Sequence, residues 1–382
     1  MKKFFRLTKR LSFLLVLCTV LLVGCKQGQG GGTNNPNPTP NPNPNPDPKP
    51  PHKEGELDYD VSEGLSFKMV KIPGCTEPQR LGTEGYELRF VTLSPFYMLE
   101  SEVTQELYLA VMGENPSKFT DSDLEEGEEQ MKRPVDSVSW INAVIFCNTL
   151  TTALMGEEEC VYDITGGPAE KSNVKIIFNT EGKIDRKGFR LPSESEWEWA
   201  SRGGAYHVPQ YIGPTLPDKD FEGMDNLTGQ EWSDKYIELV KKYRAVISEY
   251  AWVGKAAGKK THEVKKKKPN PYKLYDMGGN VYEWCFDTLG KYEDSEGNGY
   301  PDYIKKGEKV PENIVFHDYF GPKPTEVGMN EVLKGGSFFS PVPTNPDYAI
   351  SHATCDYRAG SSANSTANYV GFRIVCSVLN EE

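Results

Sequence analysis

The sequence predicts one folded domain, residues 54–382, in which short strands and short helices are joined by long irregular stretches. Three observations carry that expectation. Apolar residues alternate in brief runs near residues 67–72, 282–286 and 369–376, with the two-residue period of a strand. Helical patterning is confined to a few runs that begin on a capping residue, Thr104, Ser139 or Ser193. A hydrophobic share of 37% with 6 Trp and 20 Tyr is enough for a core and excludes a disordered chain.

Two segments of different composition precede the domain. Residues 1–24 place Lys2, Lys3, Arg6, Lys9 and Arg10 ahead of the apolar run 11–23, the layout of a bacterial export signal. That run is shorter than the roughly 20 residues a spanning helix requires. Leu22, Val23 and Gly24 before Cys25 resemble a lipobox, whose cysteine is diacylated and becomes the mature N-terminus. Residues 25–53, with GQGGG followed by NPNPTPNPNPNPDPKPP, cannot bury a core and favour extended polyproline geometry. At about 3.1 Å per residue this tether lets the domain stand up to roughly 80 Å from a membrane. The expectation is an exported protein, held to the cell envelope, at the outer membrane or cell surface, by lipid on Cys25.

The formal charge of −12 falls to about −17 once the five cations of the signal are removed. So acidic a surface argues against nucleic acid and against an electrostatic grip on anionic lipid, which leaves anchoring to the acyl chains. Beyond Cys18 and Cys25, six cysteines remain: Cys75, Cys147, Cys160, Cys285, Cys355 and Cys376. Export permits disulfides, six cysteines allow 15 pairings, and nothing in the sequence chooses among them. None is spaced as CxxC, which argues against structural zinc.

Taken in order, residues 67–74 and 88–99 read as extended. Thr104 then caps a helix that places Leu107, Val111 and Met112 on one face. The acidic residues 121–129 form a solvated loop, and Ser139 opens a buried helix carrying Ile141, Val144, Ile145 and Cys147. Residues 174–178 suggest a strand. Ser193 with Glu196 makes a capping box anchored by Trp197 and Trp199. Glu194, Glu196 and Glu198 suit a helix first turn for dipole reasons, and paired-acid catalysis is the weaker reading. Residues 233–246 suggest another helix, and the lysines at 265–268 a solvated edge.

Residues 274–287, LYDMGGNVYEWCFD, concentrate the chemistry. Gly278 and Gly279 permit a tight turn that exposes carbonyls, and Asp276 and Glu283 flank it with carboxylates that hard cations prefer. The plainer alternative is a turn into a core strand. Residues 294–302, DSEGNGYPD, resemble an oxygen-ligand calcium loop but lack its closing Glu, because Lys305 stands at the twelfth position. The segment from 338 to 369, rich in Ser, Thr, Asn, Ala and Pro, is too long for a passive connection and is a candidate for function.

Read together, EVTQELY, NPSKF, RPVDSVSW, GFRLPSESEWEWASRGG, LYDMGGNVYEWC, LKGGS and GFRIVC resemble, in order, the sulfatase-modifying factor family, which includes the formylglycine-generating enzyme. The likeness covers roughly residues 64–378. It implies an α+β fold, the family's irregular mixed domain, a variant of the C-type lectin fold with little regular secondary structure and calcium as a structural staple. The implied calcium ligands are the side chains of Asp276 and Glu283 and the carbonyls of Gly279 and Val281. The family's other calcium site has no counterpart around residues 250–263.

The resemblance also implies copper chemistry and then argues against it. The family enzyme oxidises a sulfatase cysteine to formylglycine with oxygen and copper(I) held by two thiolates, donors that suit the soft ion. Three residues after Ser337, the first thiol position holds Ser340. Counting back from the GFR string places the second at Ile350, ten residues on where the family has five. Tyr282 replaces the family's active-site Trp. Cys355 falls on a nearby cysteine outside the copper pair, and with His352 it offers a residual thiol site whose simpler reading is a buried cysteine.

The sequence therefore favours a non-catalytic, lipid-anchored binding protein that displays Phe338, Phe339, Tyr348, His352, Tyr357, Asn364, Asn368 and Tyr369 to a protein or glycan ligand, a recognition-type mixture of aromatic and adaptable polar groups. That loop also resembles those of the retroelement-diversified variable lipoproteins of treponemal type. The alternatives are a copper-dependent formylglycine-generating oxidase and a structural module of an envelope assembly.

Overall fold

The computed structural model describes residues 55–83, 86–121, 124–164, 173–203, 247–290, 315–318, 330–341 and 352–378, with isolated positions between 230 and 238. The leader, Cys25, the tether, the 294–302 loop, Tyr348, Ile350 and most of residues 233–246 lie outside them. No helix among the described residues is long and apolar enough to cross a membrane.

Strands β1 (Glu56–Ser62), β2 (Leu65–Ile72), β5 (Phe96–Leu99) and β13 (Val375–Ser377) form an antiparallel sheet in the order β1-β2-β5-β13. Strands β3 (Cys75–Thr83), β4 (Tyr86–Leu93) and β9 (Val315–His317) form a second, and β6 (Tyr162–Ile164) with β7 (Val174–Ile176) a third. A fourth holds the site. Its order is β11-β10-β8-β12, from β11 (Ala359–Ser361), β10 (Glu331–Lys334), β8 (Tyr282–Thr288) and β12 (Val370–Gly371).

The helices start where their caps predict. In α1 (Gln105–Met112) the Thr104 hydroxyl accepts from Leu107 N, and Gly113 ends the helix in the left-handed region at φ 75°. Leu107 is buried, and Val111 and Met112 pack half-buried on the same core. In α2 (Trp140–Leu154) the Ser139 hydroxyl accepts from Asn142 N, and Ile141, Val144 and Cys147 are buried. In α3 (Glu194–Arg202) Ser193 and Glu196 complete the capping box. Every residue of α3 is buried, including its three glutamates, a burial that the dipole reading of its acidic first turn does not anticipate.

Strand β8 divides the interior. Its alternation suggests one buried face, but residues on both are covered, because the strand lies inside its sheet with a core on either side. Tyr282 and Trp284 join the larger core with α1 and α2, and Cys285 joins the smaller one with Trp197, Met277, Val332 and Cys355. Trp140 Nε1 donates to Cys285 O at 2.9 Å and Trp284 Nε1 to Val138 O at 2.9 Å, so both large side chains are buried with their polar atoms satisfied. All six described cysteines are free and buried.

Candidate functional site

The turn that leads into β8 is built from unusual backbone. Asp276, Gly279 and Asn280 have φ of 54°, 78° and 53°. A Cβ at Gly279 would lie 2.3 Å from Trp252 O, so glycine is required there on space as well as conformation. Asn280 N donates to Trp252 O at 2.9 Å, and Gly279 N to Gly335 O at 2.8 Å, tying the turn to the start of the Ser337 loop.

Three buried carboxylates surround this turn. Asp276 Oδ2 accepts from Lys265 N at 2.7 Å, and Oδ1 is buried with no partner. Glu283 accepts a fork from Arg373, with Nε on Oε2 and Nη2 on Oε1, both at 2.6 Å, and Trp197 Nε1 donates to Oε2 at 2.7 Å. Glu102, 1% exposed, accepts from Val281 N at 3.1 Å and Asn280 Nδ2 at 2.8 Å. Burial pushes Glu102 well above the usual carboxylate range, with Asp276 and Glu283 adding to the rise, and burial pushes Asp276 up to about 6. Three buried carboxyl groups thus share one guanidinium, with Lys267 as a further cation acting on Asp276, and carboxyl oxygens remain in excess beside the orphaned Oδ1.

Hard oxygen donors and an unpartnered buried Oδ1 fit a hard divalent cation at the turn, whose binding would favour the ionised carboxylates that burial disfavours. Among the described residues no three His, Cys, Asp or Glu side chains converge on one metal position. A ligand set of two carboxylates completed by carbonyls does not need three.

The copper positions do not fit copper(I). Ser340 Oγ accepts from Ser337 N at 2.9 Å, and the Tyr282 phenol is hydrogen-bonded to Ser340 and Tyr357. A hydroxyl is a poor donor to a soft ion, so these side chains support no copper step. Cys355 is fully buried in the smaller core, and burial pushes its thiol up to about 12. His352 is stacked on Tyr357 at 4.4 Å between ring centroids, and burial pushes it down. A thiol that burial holds in its protonated form, in an apolar core, is not an activated nucleophile.

The described part of the C-terminal loop brings aromatics together. Phe338 packs edge-on against Phe119 at 5.2 Å, Phe339 lies 4.7 Å from Phe338, and Tyr369 is perpendicular to Phe339 at 6.1 Å and near Tyr282 at 6.3 Å. Phe339 and Tyr369 are 56% and 39% exposed. Phe338 is corrected from ligand-facing to supporting: at 1% exposure it is wedged between Phe119 and Phe339. Asn364 is exposed and Asn368 and Tyr357 half-buried. Beside Tyr369 a cavity of about 220 Å³ opens against β8, β10 and β11, with Tyr282 and Trp284 among its walls.

The glutamates of α3 prove structural. Arg89 Nη2 meets Glu198 Oε2 at 2.9 Å, Arg358 Nη2 donates to Glu194 Oε2 at 2.8 Å, and Lys334 Nζ lies 3.6 Å from both carboxylates. Burial raises both acids, but Arg358, Arg89 and Lys334 at Glu194, and Arg202, Arg89 and Lys334 at Glu198, outweigh it and hold each at about 2. Fixed as anions, they cannot share a proton as an acid/base pair. The lysine run is likewise used within the chain: Lys265 meets Glu100 at 2.8 Å, Lys266 meets Glu263 at 3.2 Å, Lys268 pairs with Glu249, and Lys267 lies over the Trp252 ring.

Residues 64–378 match the sulfatase-modifying factor enzyme 1-like domain, and the chain belongs to that family. It is 33% identical over 240 residues to chaperone protein LppX of Paenibacillus barcinonensis, spanning 60% of this chain and 71% of that protein. It is 28% identical over 221 residues to the formylglycine-generating enzyme of Streptomyces coelicolor, spanning 55% of this chain but only 54% of that enzyme. Among solved structures, Treponema denticola variable protein 1 superposes with a TM-score of 0.59 at 33% identity, covering 85% of this chain and 99% of that one. The irregular α+β fold and the relation to treponemal variable proteins thus both hold.

Sequence reasoning missed Glu102, Arg373 and the cavity. Glu102 and Arg373 stood within the strings EVTQELY and GFRIVC, yet nothing local to either string signals that they meet at residues 280–283.

Proposed function

We propose that this chain is a lipid-anchored envelope protein that binds a ligand through the face around Phe339, Tyr369 and the adjoining cavity, and that it does not carry out the family's oxidation. One observation carries the reading. Where the resemblance places the first copper thiol, a serine hydroxyl is locked by the Ser337 backbone and the Tyr282 phenol, beside a cluster of exposed aromatics. The lipobox before Cys25 supports the anchor, and the acidic charge of the mature chain leaves attachment to acyl chains rather than lysines.

Asp276 and Glu283, with the carbonyls of Gly279 and Val281, hold calcium in this reading. The ion offsets the acidic excess and fixes the turn that sets Tyr282 and the Ser337 loop. The test is an anaerobic copper(I) titration of the full-length protein, then oxygen and a cysteine-containing sulfatase-type peptide, with mass spectrometry of the product. No tight copper and an unchanged peptide are expected. Formylglycine in the peptide would overturn the non-catalytic reading.

A further inference from the structure

The cavity beside Tyr369 has a composition that narrows its ligand. Among the described residues no charged side chain lines it, and the mature protein is strongly acidic. A phosphate, carboxylate or ammonium placed there would lose its hydration with no opposite charge to replace it. The occupant is therefore neutral.

Its polar groups are hydroxyls. Ser361, Ser365 and Tyr369 line the cavity, and their hydroxyls have no hydrogen-bond partner among the described residues. Tyr282 and Trp284 also line it, but their polar atoms are committed elsewhere, the phenol to Ser340 and Tyr357 and the indole N–H to Val138 O. They offer the ligand apolar ring surface only. A purely apolar occupant would strand the serine hydroxyls, at about 1–3 kcal/mol for each one buried unsatisfied. A matching occupant has a flat apolar face and a hydroxylated edge.

Size limits it further. At about 220 Å³ the cavity is smaller than the roughly 300–1,000 Å³ of drug-sized sites, which suits one ring rather than a chain. Tyr369 lines the cavity, and the exposed ring of Phe339 stands perpendicular to it at 6.1 Å, so the pair offers a platform for whatever continues from that ring.

We propose that the cavity receives one neutral sugar ring, the terminal pyranose of a glycan, with its apolar face on Tyr282 and Trp284 and its hydroxyl edge toward Ser361, Ser365 and the Tyr369 phenol. The proposal rests on the ligand-binding reading above. The test presents full-length protein, in a detergent without sugar headgroups, to an array of neutral and acid-terminated oligosaccharides and, in parallel, to a peptide library. Hits are followed by calorimetry.

The expected result is capture of oligosaccharides ending in a neutral hexose, deoxyhexose or N-acetylhexosamine, with competition by the free monosaccharide. Tyr369→Ala should weaken binding at least tenfold, and Tyr369→Phe and Ser365→Ala by a few-fold each, all with unchanged melting temperature. Capture of peptides alone, or of acid-terminated glycans alone, overturns the sugar assignment and leaves ligand binding standing. Silence of the wild-type protein on both arrays overturns both. Neutral-glycan binding that survives Tyr369→Ala moves the glycan elsewhere and overturns the cavity assignment.

Discussion

With its thiol pushed up to about 12 and no exposed surface, Cys355 should resist iodoacetamide in the folded protein and react only after denaturation, a difference that intact-mass measurement reads directly. Ser340→Cys alone should not confer tight copper(I) binding, because the second sulfur remains absent. Glu102 argues the same dependence on surroundings for an acid. Its carboxylate satisfies Val281 N and the Asn280 amide across some 178 residues of sequence, so Glu102→Ala should cost about 1–3 kcal/mol in urea unfolding, through two donors left unpaired. Short-range residue chemistry was legible beforehand: the Ser193 and Glu196 box and the Thr104 and Ser139 caps all depend on neighbours within a few positions. Glu102 was not, since its role exists only once distant segments meet.

Helix α3 shows where pattern reading stops at the scale of an element. Alternating Trp and Glu after a capping box describe a short capped helix, and the cap and the tryptophan anchor are as expected. The burial of Glu194 and Glu198 depends on Arg89 from β4, Lys334 from β10 and Arg358 before β11, none of which a helical wheel contains. Arg89→Met leaves two buried carboxylates short of a counter-ion and should destabilise the fold by about 3–5 kcal/mol. Both glutamates have folded-state values near 2, below an unfolded value of about 4.3, so their contribution is present in full above that value and is lost as pH falls from about 4.5 toward 2. Chemical denaturation between pH 5 and 2.5 should show stability falling across that window, with a smaller slope in Glu194→Gln.

For the molecule as a whole, the turn proposed to hold calcium, the two cores and the aromatic face converge on β8, so an ion bound there should be felt globally. Calcium should raise the melting temperature of chelator-treated protein by several degrees, since a ligand at about 100 times its Kd adds roughly 2.7 kcal/mol. Asp276→Asn should remove most of that response. The fold class was legible as a whole because seven short strings recur in the family's order, while the cavity was not, because its walls come from four segments between residues 282 and 370.

The register of β5 with β13 also carries a kinetic consequence. Met98 pairs with Val375, 277 residues further along the chain, and Arg190 exchanges backbone hydrogen bonds with the same valine. Closing loops of that length before any pairing energy is gained makes for high contact order and slow folding. The first sheet lacks its β13 edge, beside β5, until residues 375–377 arrive, so a ribosome- or translocon-bound chain that stops short of them would have no finished domain to hold. On the proposed export route such a chain crosses the membrane still unfolded and assembles afterwards, in one late step.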